Sequence, residues 1–154
     1  MRLEDIVAKQ SIAYFEPLNS NVLTPGGGTP LFDAAGIVMD RALAHNSDRT
    51  IVVILTDGEE NTSKEYTQEK IKNKVKVLQD KKWEVIFLGA NFDVTRYTHG
   101  SGLASTKMRN FDINNTMQRT SMYSDLTKST VAYATVGAAI DLSIDDNMMR
   151  SEEH

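Results

Sequence analysis

Two short segments carry residue types suited to holding a ligand. Residues 25–30 form a glycine-rich turn ahead of a predicted helix, and residues 55–61 place Asp57 directly after an apolar run. Glycine lets the backbone approach a ligand closely, and the N-terminus of a helix favours negative charge. A hydroxyl and a carboxylate that meet at the carboxyl edge of a sheet can bind a hard divalent cation through oxygen. These two segments are therefore the candidate cation site.

Each feature also has a simpler structural interpretation. Thr29 can serve only as the N-cap of the helix, and the glycines at 26–28 can form only a tight turn. Asp57-Gly58 is ordinary turn chemistry at the end of a strand. The chain has no cysteine and three scattered histidines, which excludes thiol catalysis and a His-rich metal cluster. Only the combination of the two segments favours a metal site over the simpler interpretation as turns and a helix cap.

Helices and strands alternate along the chain and must position these segments. Thr29 and Pro30 begin a helix with Asp33 at the positive end of its dipole, and apolar residues cover most of its circumference, which predicts a buried helix. The unalternating apolar run at 50–56 predicts a central parallel strand covered on both faces. A second helix is predicted at 66–82, with Ile71, Val75 and Leu78 at helical spacing and lysines on the opposite face. It is followed by a strand at 83–88, a short helix at 93–99, a strand at 108–111 and a last long helix. The last helix places Met122, Leu126, Tyr133, Val136 and Ile140 on one stripe.

This alternation predicts an α/β three-layer sandwich with a mainly parallel, Rossmann-like sheet. In such sheets the ligand site lies beyond the carboxyl ends of the strands, so Asp57 should lie at a strand tip. We divide the chain into a poorly patterned segment, 1–28, with a short strand at 11–15, a domain at 29–140, and an acidic flexible tail at 141–154.

Three motifs resemble the von Willebrand factor A family. Residues 27–34, Gly-Gly-Thr-Pro-Leu-Phe-Asp-Ala, resemble its second signature, and residues 54–61, Ile-Leu-Thr-Asp-Gly-Glu-Glu-Asn, its third. Residues 87–91 are similar to a segment of stand-alone bacterial and phage members. The resemblance implies a metal-ion-dependent adhesion site holding Mg²⁺, with Thr29 as a direct ligand, Asp57 acting through water, and a carboxylate of a partner protein completing the coordination. We further predict that Gly28, Glu59, Glu60 and Asn61 bind the partner.

The family's first signature, Asp-x-Ser-x-Ser at the end of its first strand, has no counterpart here. Two other segments are candidates for this signature. The first, Asp125-x-Thr127-x-Ser129, has nearly the right spacing but lies in a predicted helix. The second, Asp141-x-Ser143-x-Asp145, is followed by too little sequence to build the next helix. Magnesium prefers about six oxygens in near-octahedral geometry. Alone, the chain should therefore bind the metal weakly or not at all, and the domain is predicted to be truncated at its N-terminal side.

The missing strand also leaves a sheet edge without a neighbour. The strand that runs from Ile51 to Leu55 would expose a row of backbone N–H and C=O groups, and such edges recruit other chains. A protein partner or a second copy of this chain is therefore predicted to cover that edge. The predicted function is a non-catalytic protein-binding module. A structural or assembly subunit that uses the open edge without metal is the alternative, and an enzyme acting on phosphate is disfavoured because the glycine turn lacks the ending of a P-loop.

Charge and hydropathy exclude other classes of partner. The net charge of −4 disfavours nucleic-acid binding, and no apolar run approaches the roughly 18 residues of a membrane span. The N-terminal residues are polar and acidic and do not resemble a signal peptide, so a cytoplasmic protein is expected.

Overall fold

The structure, a computed structural model, describes residues 30–58, 63–91, 93–94 and 102–143. The described elements, in chain order, are helix α1 (Leu31–His45), strand β1 (Ile51–Thr56), helix α2 (Gln68–Asp80), strand β2 (Glu84–Ala90), a 3₁₀ turn (Ser105–Lys107), strand β3 (Met108–Phe111) and helix α3 (Thr116–Val136). Only Asp93 and Val94 of the short helix predicted at 93–99 fall within these ranges. The predicted strand at 11–15 lies outside them.

The three described strands form one parallel sheet in the order β1-β2-β3. Val53 of β1 lies opposite Ile86 of β2, and Leu88 of β2 lies opposite Arg109 of β3. Parallel strands need crossover connections, which α2 supplies between β1 and β2. The predicted α/β fold with a parallel sheet is therefore confirmed.

Helices cover both faces of this sheet. The core beneath α1 and α2 contains Met39, Ile71, Val75, Leu78, Trp83 and Phe87, together with Val52 and Ile54 of β1. The core beneath α3 contains Ile86, Leu88, Phe111, Met122, Tyr133, Ile140 and Leu142. Trp83 and Tyr133 are both core residues.

The prediction of a strand at 50–56 covered on both faces is wrong within the described residues. All seven residues of β2 are buried, whereas β1 alternates. Val52, Ile54 and Thr56 are buried toward α1 and α2, while Val53 and Leu55 on the opposite face are 45% and 52% exposed. The core beneath α3 is built on β2 and β3, and Ile51 of β1 packs against it, whereas Val53 and Leu55 on the same face stay exposed.

The two helices on the first face differ in how well the sequence predicts them. In α2, Ile71, Val75 and Leu78 are buried as predicted, and the Thr67 hydroxyl caps the helix by accepting the Lys70 N–H at 3.2 Å. The prediction that α1 is buried around most of its circumference is wrong. Its buried residues lie on one face (Leu31, Ala35, Gly36 and Met39), and Val38 is 41% exposed.

Helix α3 ends earlier than its predicted apolar stripe. Gly137 adopts the left-handed conformation (φ 72°), and its N–H donates to the Tyr133 carbonyl, which closes the helix. Val136 is therefore exposed and Ile140 lies beyond the helix, although Ile140 and Leu142 are both buried in the core. The Leu142 N–H donates to the Thr106 carbonyl at 2.8 Å, so ordered packing continues past residue 140.

Two ion pairs tie the second face together. Arg109 on β3 is almost fully buried and donates to Asp125 of α3 at 2.5 Å and to the Ser121 hydroxyl at 3.1 Å. Lys107 pairs with the buried Glu84 at 2.7 Å and donates to the Ile140 carbonyl. Asp125, the first residue of one motif weighed as a replacement for Asp-x-Ser-x-Ser, is thus an internal partner of Arg109. Within the described ranges, no helix has the length and apolar character needed to cross a membrane.

Candidate functional site

Asp57 lies at the carboxyl tip of β1, where the sequence predicted a ligand site. The buried hydroxyl of Thr56 accepts the Gly58 N–H at 3.2 Å and donates to the Gly58 carbonyl at 2.8 Å. This small turn folds the chain around Asp57, whose side chain is exposed. The tip therefore offers one carboxylate to solvent, held on a strand that is packed on one side.

Most of the other predicted site residues fall outside the described ranges. These are Gly28, Thr29, Glu59, Glu60 and Asn61. In the part of the chain that the structure describes, no group of three or more histidine, aspartate or glutamate side chains is placed to hold a metal ion. Because Mg²⁺ takes about six oxygens, Asp57 fits such an ion only together with donors from elsewhere.

The carboxylate of Asp33 binds the chain segment that leads into α2. One oxygen accepts the Lys64 N–H at 2.8 Å, and the other accepts those of Glu65 and Tyr66 at 3.0 and 2.9 Å. The bond is reciprocated, because the Asp33 N–H donates to the Ser63 hydroxyl at 2.9 Å. Ser63 thus satisfies an N–H of the first turn of α1, for which Pro30 provides no side-chain cap.

These contacts also set the charge state of Asp33. Desolvation on its own would raise the pKa of this carboxyl, but the three N–H groups of Lys64, Tyr66 and Glu65 together lower the pKa below its ordinary value. Asp33 is therefore ionised at neutral pH. The sequence assigned it only an interaction with the helix dipole, since nothing in the spacing signals a contact across thirty residues.

Tyr66 anchors the same segment at a second point on α1. Its ring lies directly on Gly36, where an added Cβ would come within 2.2 Å of a ring carbon. Its hydroxyl donates to Asp40 at 2.5 Å, and Lys74 of α2 pairs with the same carboxylate. The hydrogen bond to Asp40, followed by desolvation, raises the pKa of Tyr66 to about 12. Helix α1, the segment after the loop and helix α2 therefore form one connected unit.

A polar depression of about 650 Å³ lies beyond the ends of β2 and β3. Asn91, in the left-handed conformation (φ 56°), accepts the Ile113 N–H through its side chain. Asn110 accepts the Val94 N–H and donates to Asp93. The exposed Asp112 completes this edge. Of these residues, only Asn91 belongs to one of the three sequence motifs.

Comparison with protein-family models, with curated proteins and with solved structures found no match. The resemblance to the von Willebrand A family thus rests on the three sequence motifs.

The contact between Gly36 and Tyr66 predicts an effect opposite to helix propensity. Alanine normally stabilises a helix relative to glycine by about 1 kcal/mol. We expect Gly36→Ala to lower the free energy of unfolding by roughly 1–3 kcal/mol, since the Tyr66 ring must move. In a Tyr66→Ala background the same change should stabilise the protein. Chemical denaturation of the four proteins measures both effects, and equal effects in the two backgrounds would contradict the contact.

The hydrogen bond from Tyr66 to Asp40 predicts a pH dependence at the alkaline end. Because the pKa of Tyr66 is raised in the folded state, its contribution to stability is fully present below the ordinary pKa of 10 and is lost as pH rises toward about 12. Burial also raises the pKa of Tyr133, so a titration of tyrosinate absorbance should show a late step that loses the contribution of one tyrosine in Tyr66→Phe. In Asp40→Asn this step should move to lower pH. A late step that persists unchanged in Tyr66→Phe would rule out the assignment.

Proposed function

We propose that this protein is a non-catalytic protein-binding module of the von Willebrand A type that docks another polypeptide along the free edge of β1. The observation that carries the proposal is that, within the described residues, β1 pairs with β2 on one side and with no strand on the other. Uncovered strand edges are sites where other chains add strands.

The backbone geometry indicates which groups the partner would meet. The Thr50 carbonyl accepts the Glu84 N–H at 3.0 Å, so Thr50 directs its polar groups toward β2. In a strand these directions alternate, so the N–H and C=O groups of Ile51, Val53 and Leu55 point away from β2. The partner would therefore bind chiefly through main-chain hydrogen bonds at these three residues.

The side chains of the same strand add an apolar component. Val53 and Leu55 are about half exposed on the face that α3 leaves uncovered. Burying apolar area stabilises by roughly 25 cal/mol per Å². A partner that supplies a strand and also covers this face would satisfy both the backbone edge and the apolar face, which favours a polypeptide with an apolar segment over a small molecule.

The metal site is part of the same proposal. Asp57 follows the free edge directly, and its exposed carboxylate is available to a cation shared with a partner. We propose that Thr29 and Asp57 hold Mg²⁺ weakly, that the partner completes the coordination, and that Gly28, Glu59, Glu60 and Asn61 contact the partner. An assembly subunit that uses the β1 edge without metal is the second candidate, because main-chain pairing at Ile51–Thr56 needs no cation.

A charged substitution at the edge tests the docking surface, with a second copy of the chain as the first partner examined. Lysine on an edge strand opposes pairing, so Leu55→Lys should turn an associated wild type into a monomer in sedimentation velocity at micromolar concentration. Val131→Lys on α3 is the matched control, since Val131 is 57% exposed, and it should leave association unchanged. A wild type that is a monodisperse monomer would contradict self-association, and equal effects of the two variants would contradict the role of the edge.

The same assay separates the two candidates. Thr29→Ala combined with Asp57→Ala, and removal of divalent cations with a chelator, should both weaken association if the metal contributes. Association that survives both treatments would exclude the metal-dependent version and leave the assembly subunit.

A further inference from the structure

We propose that the partner on the free edge of β1 is a second copy of this protein, in a two-fold dimer whose β1 strands pair antiparallel with their Val53 residues opposed. The inference rests on the proposed function, because it names the partner of that same edge. A two-fold dimer joins one surface to its own copy, so the surface must be complementary to itself. Strand β1 meets this condition in its backbone, its apolar side chains and the charges at its two ends.

The backbone groups of β1 are complementary to themselves in this register. The N–H and C=O groups of Ile51, Val53 and Leu55 point away from β2, because the Thr50 carbonyl is bound to the Glu84 N–H and directions alternate along a strand. In an antiparallel pair, opposed residues exchange both of these bonds. Opposing the two Val53 residues also sets each Ile51 opposite a Leu55. All three outward-facing residues of each copy therefore find hydrogen-bonding partners.

The side chains that meet in this register are apolar. Val53 and Leu55 are about half exposed, and Ile51 is partly buried against the core beneath α3. The two Val53 side chains would contact each other, and each Leu55 would contact an Ile51. Opposed side chains of antiparallel strands lie on the same face with Cβ atoms about 5 Å apart. These pairs therefore bury apolar area that the single chain exposes, which stabilises the dimer.

The charges at the two ends of β1 favour the same register. Arg49 lies four residues before Val53 and Asp57 four residues after it, and both charged side chains are exposed. Each Arg49 is therefore set opposite an Asp57 of the other copy. Displacing the register by one residue mismatches the directions of the backbone groups, and displacing it by two sets an apolar side chain opposite a charged one. Exposed ion pairs add little affinity, so their contribution is to fix the register.

Arg49 is held on the face of the sheet where this pair would form. Its Nη1 donates to the carbonyls of Tyr133 and Ala134, at 3.2 and 2.6 Å, near the end of α3. Alternation along the strand assigns Asp57 to the same face as Val53, which is the face of α3. The guanidinium also carries N–H donors on Nε and Nη2, which suit a carboxylate. Arg49 of the second copy thus supplies the positive charge that a metal ion would otherwise bring to Asp57.

Cysteine cross-linking of the full chain tests the register, because the chain has no cysteine of its own. Opposed hydrogen-bonded residues have Cα atoms about 5.5 Å apart, within reach of a disulfide. The two copies of residue 53 are opposed, whereas the two copies of residue 55 lie about 13 Å apart along the strands. Under mild oxidation at micromolar concentration, Val53→Cys should form a covalent dimer at least about tenfold faster than Leu55→Cys, the equally exposed control. Leu55→Cys mixed with Ile51→Cys should cross-link, because these residues are opposed.

Mixing two charge-reversal variants tests the ion pairs. Asp57→Arg and Arg49→Glu each place like charges opposite each other in their own dimers, so each should self-associate at least about fivefold more weakly than the wild type. The mixture restores opposite charges in both pairs and should associate like the wild type, with or without a chelator of divalent cations. Asp80→Arg, at an exposed aspartate of α2, is the control and should associate normally. Should Arg49→Glu not fold, the cross-linking of Val53→Cys decides.

The outcomes separate this dimer from the proposed function as a whole. Equal cross-linking rates at residues 53 and 55, or a mixture that associates no better than its components, would overturn this register even if the wild type is a dimer. A wild type that stays monomeric and does not cross-link would overturn the second copy as the partner. Rapid exchange of the Val53 and Leu55 amides in that monomer would leave the edge free for a different chain, whereas their protection would contradict the proposed function too.

Discussion

One-sided pairing of β1 is the constraint from which the rest of the account follows. Strand β2 is buried on both faces and hydrogen-bonded on both edges, so it satisfies its backbone and side chains within the described residues. In the part of the chain that the structure describes, strand β1 is paired on one edge and buried on one face. Backbone groups on an unpaired edge, and half-exposed apolar side chains such as Val53 and Leu55, are costly unless water or another segment of polypeptide covers them. Docking on this strand would meet both needs at once, which is why a binding role fits the structure.

A set of polar contacts connects α1, residues 63–66 and α2. The Asp33 N–H donates to the Ser63 hydroxyl, and the Asp33 carboxylate accepts the N–H groups of residues 64–66. The Tyr66 ring lies on Gly36, and its hydroxyl donates to Asp40, which also pairs with Lys74. These contacts link α1, residues 63–66 and α2, and Tyr66 also packs against the apolar core. Residues 63–66 are therefore fixed against α1.

The sequence predicts the elements whose apolar residues recur with a clear period. It mispredicts the features that depend on which elements pack against one another. Ile71, Val75 and Leu78 identify α2 and its buried face, and the parallel sheet follows from alternating helices and strands. The apolar run of β1 gives no sign that Val53 and Leu55 lack a covering helix, because hydropathy records side-chain type and not what packs on it. Gly137 ends α3 through its left-handed backbone, which the apolar stripe beyond it conceals. The contact of Asp33 with residues 63–66 has no local signature, since it depends on how α1 packs beside the loop.

Amide exchange along β1 in the dilute chain is the most direct test of the central claim. The amides of Val52 and Ile54 point toward β2, and those of Val53 and Leu55 point away from it. The account predicts slow exchange for the first pair and fast exchange for the second, with Val53 and Leu55 becoming protected when a partner binds. Equal protection of all four amides in the isolated chain would show that the edge is already covered from within, and would contradict the proposed docking surface.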